Sequence, residues 1–185
     1  MLDVPASAAD AALPADIPCR RYLDIAALLP VLVRRVPQDA WHKQPDLDLA
    51  ANDVFSEEDG LHSFFEIAST ADLATVGTFL SRGGDKPYRR AAYFCALPSH
   101  LVELFSLIVE DAPTDSACPP LNAMHRHVLV DPVKKASLFA EIQSANLFNF
   151  RVDKRTMHFV RDALSGHHCL DYSNGPCDLC AAATV

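Results

Sequence analysis

The stretch that decides the fold runs from Leu61 to Leu80 and reads LHSFFEIASTADLATVGTFL. Its first eight residues alternate in character, and a period of two is typical of a strand with one side chain on each face in turn. Leu61, Ser63, Phe65 and Ile67 are expected on one face, opposite His62, Phe64 and Glu66. Ser69 and Thr70 then favour a helix start, because their hydroxyl oxygens can accept from unpaired backbone N–H groups. The stretch therefore predicts a strand followed by a helix.

The same order recurs three more times along the chain. Strands are expected over residues 91–97, 125–130 and 147–152, and each precedes a helical pattern that begins at Ser99, Asp131 or Asp153. The helix after Ser99 is predicted to have Ile108 on its inward face and to end before Pro113. Four successive strand–helix units favour a single α/β or α+β domain with a mixed sheet covered by helices.

The N-terminal part of the chain has two different patterns. Residues 1–18 are rich in alanine and proline and lack periodicity, which predicts a mobile arm. From Tyr22 to Val36 apolar residues recur at steps of three and four, which predicts an amphipathic helix that Pro30 kinks or divides. The expected organisation is an arm over 1–18, a globular domain over 19–166 and a Cys/His-rich, metal-binding tail over 167–185.

Composition limits the partners and the compartment. The 185 residues carry 16 basic and 24 acidic side chains, for a net charge of -8. Affinity for nucleic acid grows with each phosphate that Lys or Arg neutralises, so neither nucleic acid nor an anionic membrane is expected as a partner. The N-terminus lacks the features of a signal peptide, and no apolar run reaches the roughly 20 residues of a membrane helix. We therefore expect a cytoplasmic protein with reduced cysteines.

The densest group of soft metal ligands lies near the C-terminus, where residues 166–180 read GHHCLDYSNGPCDLC. Cys177 and Cys180 form a C-x-x-C pair, and His167 with Cys169 would complete a tetrahedral zinc site at about 2.0 to 2.3 Å. His168 is an alternative to His167, and Cys118 or His125 could supply a remote ligand. The seven residues between Cys169 and Cys177 are fewer than zinc modules usually have.

The same cluster has other interpretations. Iron could replace zinc, for example in an iron–sulfur cluster. The C-x-x-C pair could instead be a redox dithiol, whose reactivity would depend on one lowered thiol pKa. In the third interpretation these are ordinary residues of a tail. Zinc is the cofactor expected from the ligand types, with iron as the alternative.

A second constellation occupies residues 124–131, which read MHRHVLVD. A strand here would place His125, His127, Leu129 and Asp131 on one face. Two histidines and a carboxylate match the ligands of a non-haem iron or zinc centre. Two simpler interpretations also hold: Asp131 is a good helix cap, and a His-x-His pair is common on an exposed strand.

No complete catalytic signature accompanies these clusters. G-x-S-x-G, H-E-x-x-H and G-x-G-x-x-G do not occur in the sequence. We therefore expect a protein with a structural zinc site that acts through protein–protein interaction or as an accessory subunit, with the helix from Tyr22 as a candidate contact surface. The alternative is a metal- or thiol-dependent enzyme that uses His125, His127 and the C-terminal cysteines, or a C-x-x-C redox protein, so whether the chain is an enzyme stays open.

Overall fold

A six-stranded antiparallel sheet forms the centre of the protein in the computed structural model, which describes residues 22–36, 51–52, 54–56, 60–81, 91–113, 119–148 and 150–163. The strands are β1 (Val31–Val36), β2 (Leu61–Ile67), β3 (Ala92–Leu97), β4 (Ile108–Asp111), β5 (His125–Leu129) and β6 (Phe150–Val152). Their order across the sheet is β4-β5-β2-β1-β3-β6, and each neighbouring pair is antiparallel.

Five α-helices connect or follow these strands. They are α1 (Thr70–Leu80), α2 (Ser99–Leu104), α3 (Pro119–Met124), α4 (Lys135–Ser144) and α5 (Lys154–Ala163). The described residues also include two 3-10 helices, Tyr22–Leu28 and Pro132–Lys134, and helical backbone at residues 51, 52 and 54. The longest helix, α1, packs against α5 and against the first 3-10 helix, so these three elements form one layer.

Local chemistry explains where α1 begins. The Ser69 hydroxyl accepts a hydrogen bond from the Asp72 N–H at 3.1 Å, and the Asp72 carboxylate accepts from the Ser69 N–H at 2.8 Å. This reciprocal capping box satisfies two backbone donors that the helix itself leaves unpaired. The cap predicted at Ser69 is confirmed.

The layer formed by α1 and α5 covers one face of the sheet, called here the first face. The backbone of Gly77 in α1 approaches Val152 of β6 so closely that an added Cβ would lie 3.0 Å from the valine side chain. Register places Val152 beside Ala92, and it places Phe150 beside Phe94 on the same face. All of these β-strand residues are buried.

The opposite face, called the second face, is covered by a different part of the chain. Phe55 packs edge-on against His62 of β2 with ring centroids 5.2 Å apart, and both residues are fully buried. The Lys135 ammonium at the start of α4 donates to the Phe55 carbonyl at 2.8 Å. Both faces of β3 are consequently buried, and the core lies on both sides of the sheet.

The structure corrects several predictions. The sheet is antiparallel throughout, so the predicted mixed sheet is wrong. Relative strand direction could not be predicted, because it depends on pairings between distant segments that local patterns do not encode. The helix predicted from Tyr22 to Val36 is wrong from Val31 onward, where the chain forms β1. The run VLVRRV is β-branched at three of six positions, and it pairs with β2 on one side and β3 on the other. Both features favour a strand.

The region after Ser99 also differs from its prediction. Helix α2 ends at Leu104, and Ser106 has a left-handed φ of 50°, so the helix does not continue through Ile108. The following residues form β4. Ser99 lies in the first turn of α2, whose N-cap is Pro98, and no side chain caps this helix.

Other predictions are confirmed. The four expected strands correspond to β2, β3, β5 and β6. Asp131 accepts from the Val133 N–H at 3.0 Å, and Asp153 accepts from the Arg155 N–H at 2.8 Å, so both aspartates cap the helices that follow them. None of the described helices is long and apolar enough to cross a membrane. The predicted arm over 1–18 and the predicted tail over 167–185 lie outside the described residues.

Candidate functional site

One part of the first face remains accessible, where β2, β5 and β4 lie side by side. The register aligns two rows of side chains across these three strands. The first row is Leu61, Leu129 and Ile108, and the second row is Ser63, His127 and Glu110. We call these six residues the open sheet surface.

The first row of the open sheet surface is apolar. Leu61 is 37% exposed, Leu129 is 38% exposed and Ile108 is 52% exposed. Single exposed apolar side chains are common on proteins, whereas large contiguous apolar patches mark sites of interaction. Since Leu129 lies directly beside both of the others in the register, the three form one continuous strip.

Ion pairs on the second face connect the three strands beneath this strip. The Arg126 guanidinium lies 2.8 Å from the Glu66 carboxylate of β2 and 3.2 Å from the Asp111 carboxylate of β4. One side chain of β5 therefore links the strands on both sides of it. Glu110, on the opposite face, forms no ion pair with any other described residue.

The two histidines singled out from the sequence lie at the inner border of the open sheet surface. Their side chains share the first face, as predicted, and the His125 and His127 rings are 5.3 Å apart at an interplanar angle of 78°. His125 is buried and tilted against Phe65 at 5.2 Å, whereas His127 is half-buried. The pair therefore separates the covered half of the face from the open half.

The hydrogen bond of His125 determines which ring nitrogen carries the proton. Its Nδ1 pairs with the carbonyl of Ala112, which requires the proton on Nδ1 and leaves Nε2 as the acceptor of the neutral ring. Burial lowers the pKa of His125, and the neighbouring His127 and Arg126 lower it further, while the Ala112 carbonyl acts in the opposite direction. The neutral ring is thus favoured, and only a neutral imidazole nitrogen can bind a metal.

Asp131 does not join this pair. Strand β5 spans about 13 Å from His125 to Leu129, at about 3.3 Å per residue, and Asp131 lies beyond its end. Its carboxylate instead accepts from the Val133 N–H at the start of the next helical turn. Within the ranges that the structure describes, no three His, Cys, Asp or Glu residues are grouped so as to hold a metal ion.

The cysteine predictions divide into two groups. Cys95 in β3 is fully buried, and burial raises the pKa of its thiol to about 11, so it is a small apolar core residue, as expected. The expected metal ligands His167, Cys169, Cys177 and Cys180 lie outside the described residues, as does Cys118. Their role as a zinc site stays a prediction.

Sequence reasoning missed two of the six residues of the open sheet surface, Ile108 and Glu110. The alternation in β2 correctly predicted that Leu61 and Ser63 share a face with Phe65. The alternation does not indicate which face of the strand packs under helices, because those helices belong to other parts of the chain. Ile108 and Glu110 were expected in a helix, so their position beside Leu129 and His127 could not be foreseen.

Comparison of the chain with protein-family models, with curated proteins and with solved structures found no match. The comparisons therefore supply neither a reaction nor a partner.

Proposed function

We propose that this protein acts by binding another protein through the open sheet surface. The observation that supports the proposal is the exposed apolar strip of Leu61, Leu129 and Ile108 on the first face of the sheet. Burying such a strip against a partner is favourable by about 25 cal/mol for each Å² of apolar area removed from water. The function is therefore that of an interaction protein or an accessory subunit.

Two further features support a protein as the partner. Backbone ladders and the ion pairs of Arg126 join β2, β5 and β4, and a surface that is already ordered loses less conformational entropy on binding. The net charge of -8 disfavours nucleic acid and anionic membranes. The cytoplasmic location expected from the sequence belongs to the same proposal.

Site-specific photocrosslinking in cells that naturally express the protein tests this function. A benzophenone amino acid replaces Leu129 in one variant and Leu104 in the matched control, because Leu104 is also an exposed leucine (66%) but lies on α2. We expect one discrete adduct from position 129 that is absent from position 104. The adduct should disappear when Ile108→Glu is added, since the charge would disrupt the apolar strip. Identical adducts from both positions, or none from position 129, would contradict the proposal.

We also propose a structural zinc ion held by His167, Cys169, Cys177 and Cys180. The support is the ligand chemistry of the sequence, where two thiolates in a C-x-x-C pair and a nearby His and Cys make a tetrahedral set. Zinc bound there would contribute to the stability of the tail, because metal binding to a folded site is linked to folding.

Elemental analysis of untagged protein, purified without chelator or reductant, tests the zinc proposal. We expect about one zinc per chain, as such a closed four-ligand site binds one ion. The double variant C177S/C180S should lose the metal and melt at a lower temperature, whereas the control C19S should retain the metal. A parent protein without metal, together with unchanged melting of C177S/C180S, would exclude the site.

The His125–His127 pair supports one alternative, a metal- or thiol-dependent enzyme. Rings 5.3 Å apart beside an accessible surface could contribute two ligands, and the C-terminal cysteines would have to supply the rest. A cysteine placed by His127→Cys should then crosslink to Cys169 through a short bifunctional maleimide. Iron in the elemental analysis would favour this alternative, and consistent failure to crosslink would exclude a shared site.

A further inference from the structure

Strand β4 forms one border of the sheet and of the open sheet surface. In the part of the chain that the structure describes, β5 is its neighbour on one side and no strand lies on the other. All four of its residues are exposed. Edge strands of this kind can pair with an extended segment of another chain, because their outer N–H and C=O groups are available.

The hydrogen-bond alternation identifies which backbone groups point outward. The Ala112 N–H donates to the His125 carbonyl at 3.3 Å, so Ala112 faces β5. Antiparallel ladders alternate, which turns Ile108 and Glu110 toward β5 as well and turns Val109 and Asp111 outward. The ladder between β2 and β5 gives the same assignment. The Val130 N–H donates to the Gly60 carbonyl at 2.9 Å, so the backbone groups of Val130 face β2. By alternation, the backbone groups of the odd-numbered residues of β5 face β4.

Charge disfavours a second copy of this chain at the edge in the register that pairs both outward residues of β4. Two β4 strands that pair antiparallel, with Val109 of each copy opposite Asp111 of the other, would place Glu110 directly opposite Glu110 of the other copy. Like charges in that position are destabilising. Asp111 is already paired with Arg126, so Glu110 is the acidic side chain left for a partner to match.

We propose that the partner contributes a basic extended segment that adds a strand to the outer edge of β4. The segment places an apolar side chain beside Ile108, which lengthens the strip of Leu61, Leu129 and Ile108 by one strand. Two residues further along, a Lys or Arg lies beside Glu110. This inference rests on the proposed function and specifies the partner of the same surface.

A phage-displayed library of random twelve-residue peptides, panned on the full-length protein, tests the recognition pattern. We expect the enriched peptides to carry a basic residue two positions from an apolar one. Panning on Glu110→Lys should instead enrich acidic residues at that position. Enriched peptides without this pattern, or the same peptides from both proteins, would overturn the inference.

Two substitutions at one position test strand addition itself. Val109→Pro removes the outward N–H and leaves the ladder with β5 intact, whereas the control Val109→Thr keeps the N–H. Binding of a selected fluorescent peptide, followed by fluorescence polarisation, should weaken about tenfold or more in Val109→Pro and change little in Val109→Thr. Circular dichroism melting confirms that both variants fold. Equal affinity of the two variants would overturn strand addition.

The outcomes separate this inference from the proposed function. If Leu129→Glu abolishes peptide binding and Val109→Pro does not, the open sheet surface binds protein without an added strand, so only the inference fails. If position 129 yields no crosslink in cells, the proposed function fails as well. An adduct with a second copy of the chain, or a crosslink from position 129 to residues 164–185 of the same chain, would also overturn the inference.

Discussion

The ionisation of His125 is linked to the packing around it. The ring is buried against Phe65 and bonded to the Ala112 carbonyl just beyond β4, so it connects the core to the edge strand. Its environment favours the neutral form, and the lowered pKa has a consequence for stability that can be measured.

We expect the free energy of unfolding to decrease as the pH falls from about 7.5 to about 5.5. The pKa of an unfolded histidine is about 6.5, and burial lowers that of folded His125, so below pH 6.5 the unfolded chain takes up a proton that the folded one does not. The loss continues until the pH passes the folded pKa. Urea denaturation over this pH range should show a smaller decrease in His125→Asn, which keeps a side-chain N–H donor but does not titrate. Equal decreases in the two proteins would contradict this assignment.

The close approach of α1 to β6 restricts substitution at the level of secondary structure. Gly77 lies against Val152, and a Cβ at position 77 would meet the valine Cβ and Cγ2 at 3.0 Å and its Cγ1 at 3.2 Å. Val152 is fully buried in a paired strand, so its side chain has little room to move.

Gly77→Ala should therefore destabilise the protein by about 1 to 3 kcal/mol through overpacking, although alanine is the better helix former. Equilibrium unfolding in urea measures the effect. In a Val152→Ala background the space for the new methyl group exists, so the same Gly77→Ala change should cost less or become stabilising. An equal cost in both backgrounds would mean that the contact with Val152 is not the cause.

Across the described part of the molecule, helices cover the first face of the sheet at one end, and at the other end its side chains are exposed. Adjacent residues of β5 consequently have different surroundings, since Val128 is fully buried on the second face and Leu129 lies on the open sheet surface. Hydrophobic stabilisation depends on the area removed from water and on the cavity that a truncation leaves.

Val128→Ala should lower the free energy of unfolding by about 1 to 3 kcal/mol, and Leu129→Ala by less than about 1 kcal/mol, although the leucine loses more carbon atoms. Chemical denaturation of the two variants makes the comparison, with Leu104→Ala as an exposed reference on α2. A larger effect at Leu129 than at Val128 would show that the open sheet surface is covered in the folded protein.

Some of this arrangement was predictable from local patterns. The period of two in residues 61–67, the cap at Ser69 and the shared face of His125 and His127 all follow from backbone geometry within a few residues. The location of Glu110 beside His127 was not predictable, because it depends on β4, which local periodicity assigned to a helix.

The sequence by itself determined four strands, the helix starts at Ser69, Asp131 and Asp153, and the alternation that places His125 and His127 together. The tertiary structure decided that Val31–Val36 is a strand, that the sheet is antiparallel and that one end of the first face stays open. The physical reason is the range of the interactions. Caps and periodicity act over a few residues, whereas strand pairing and helix covering join segments tens of residues apart, and burial in those contacts overrides local preference.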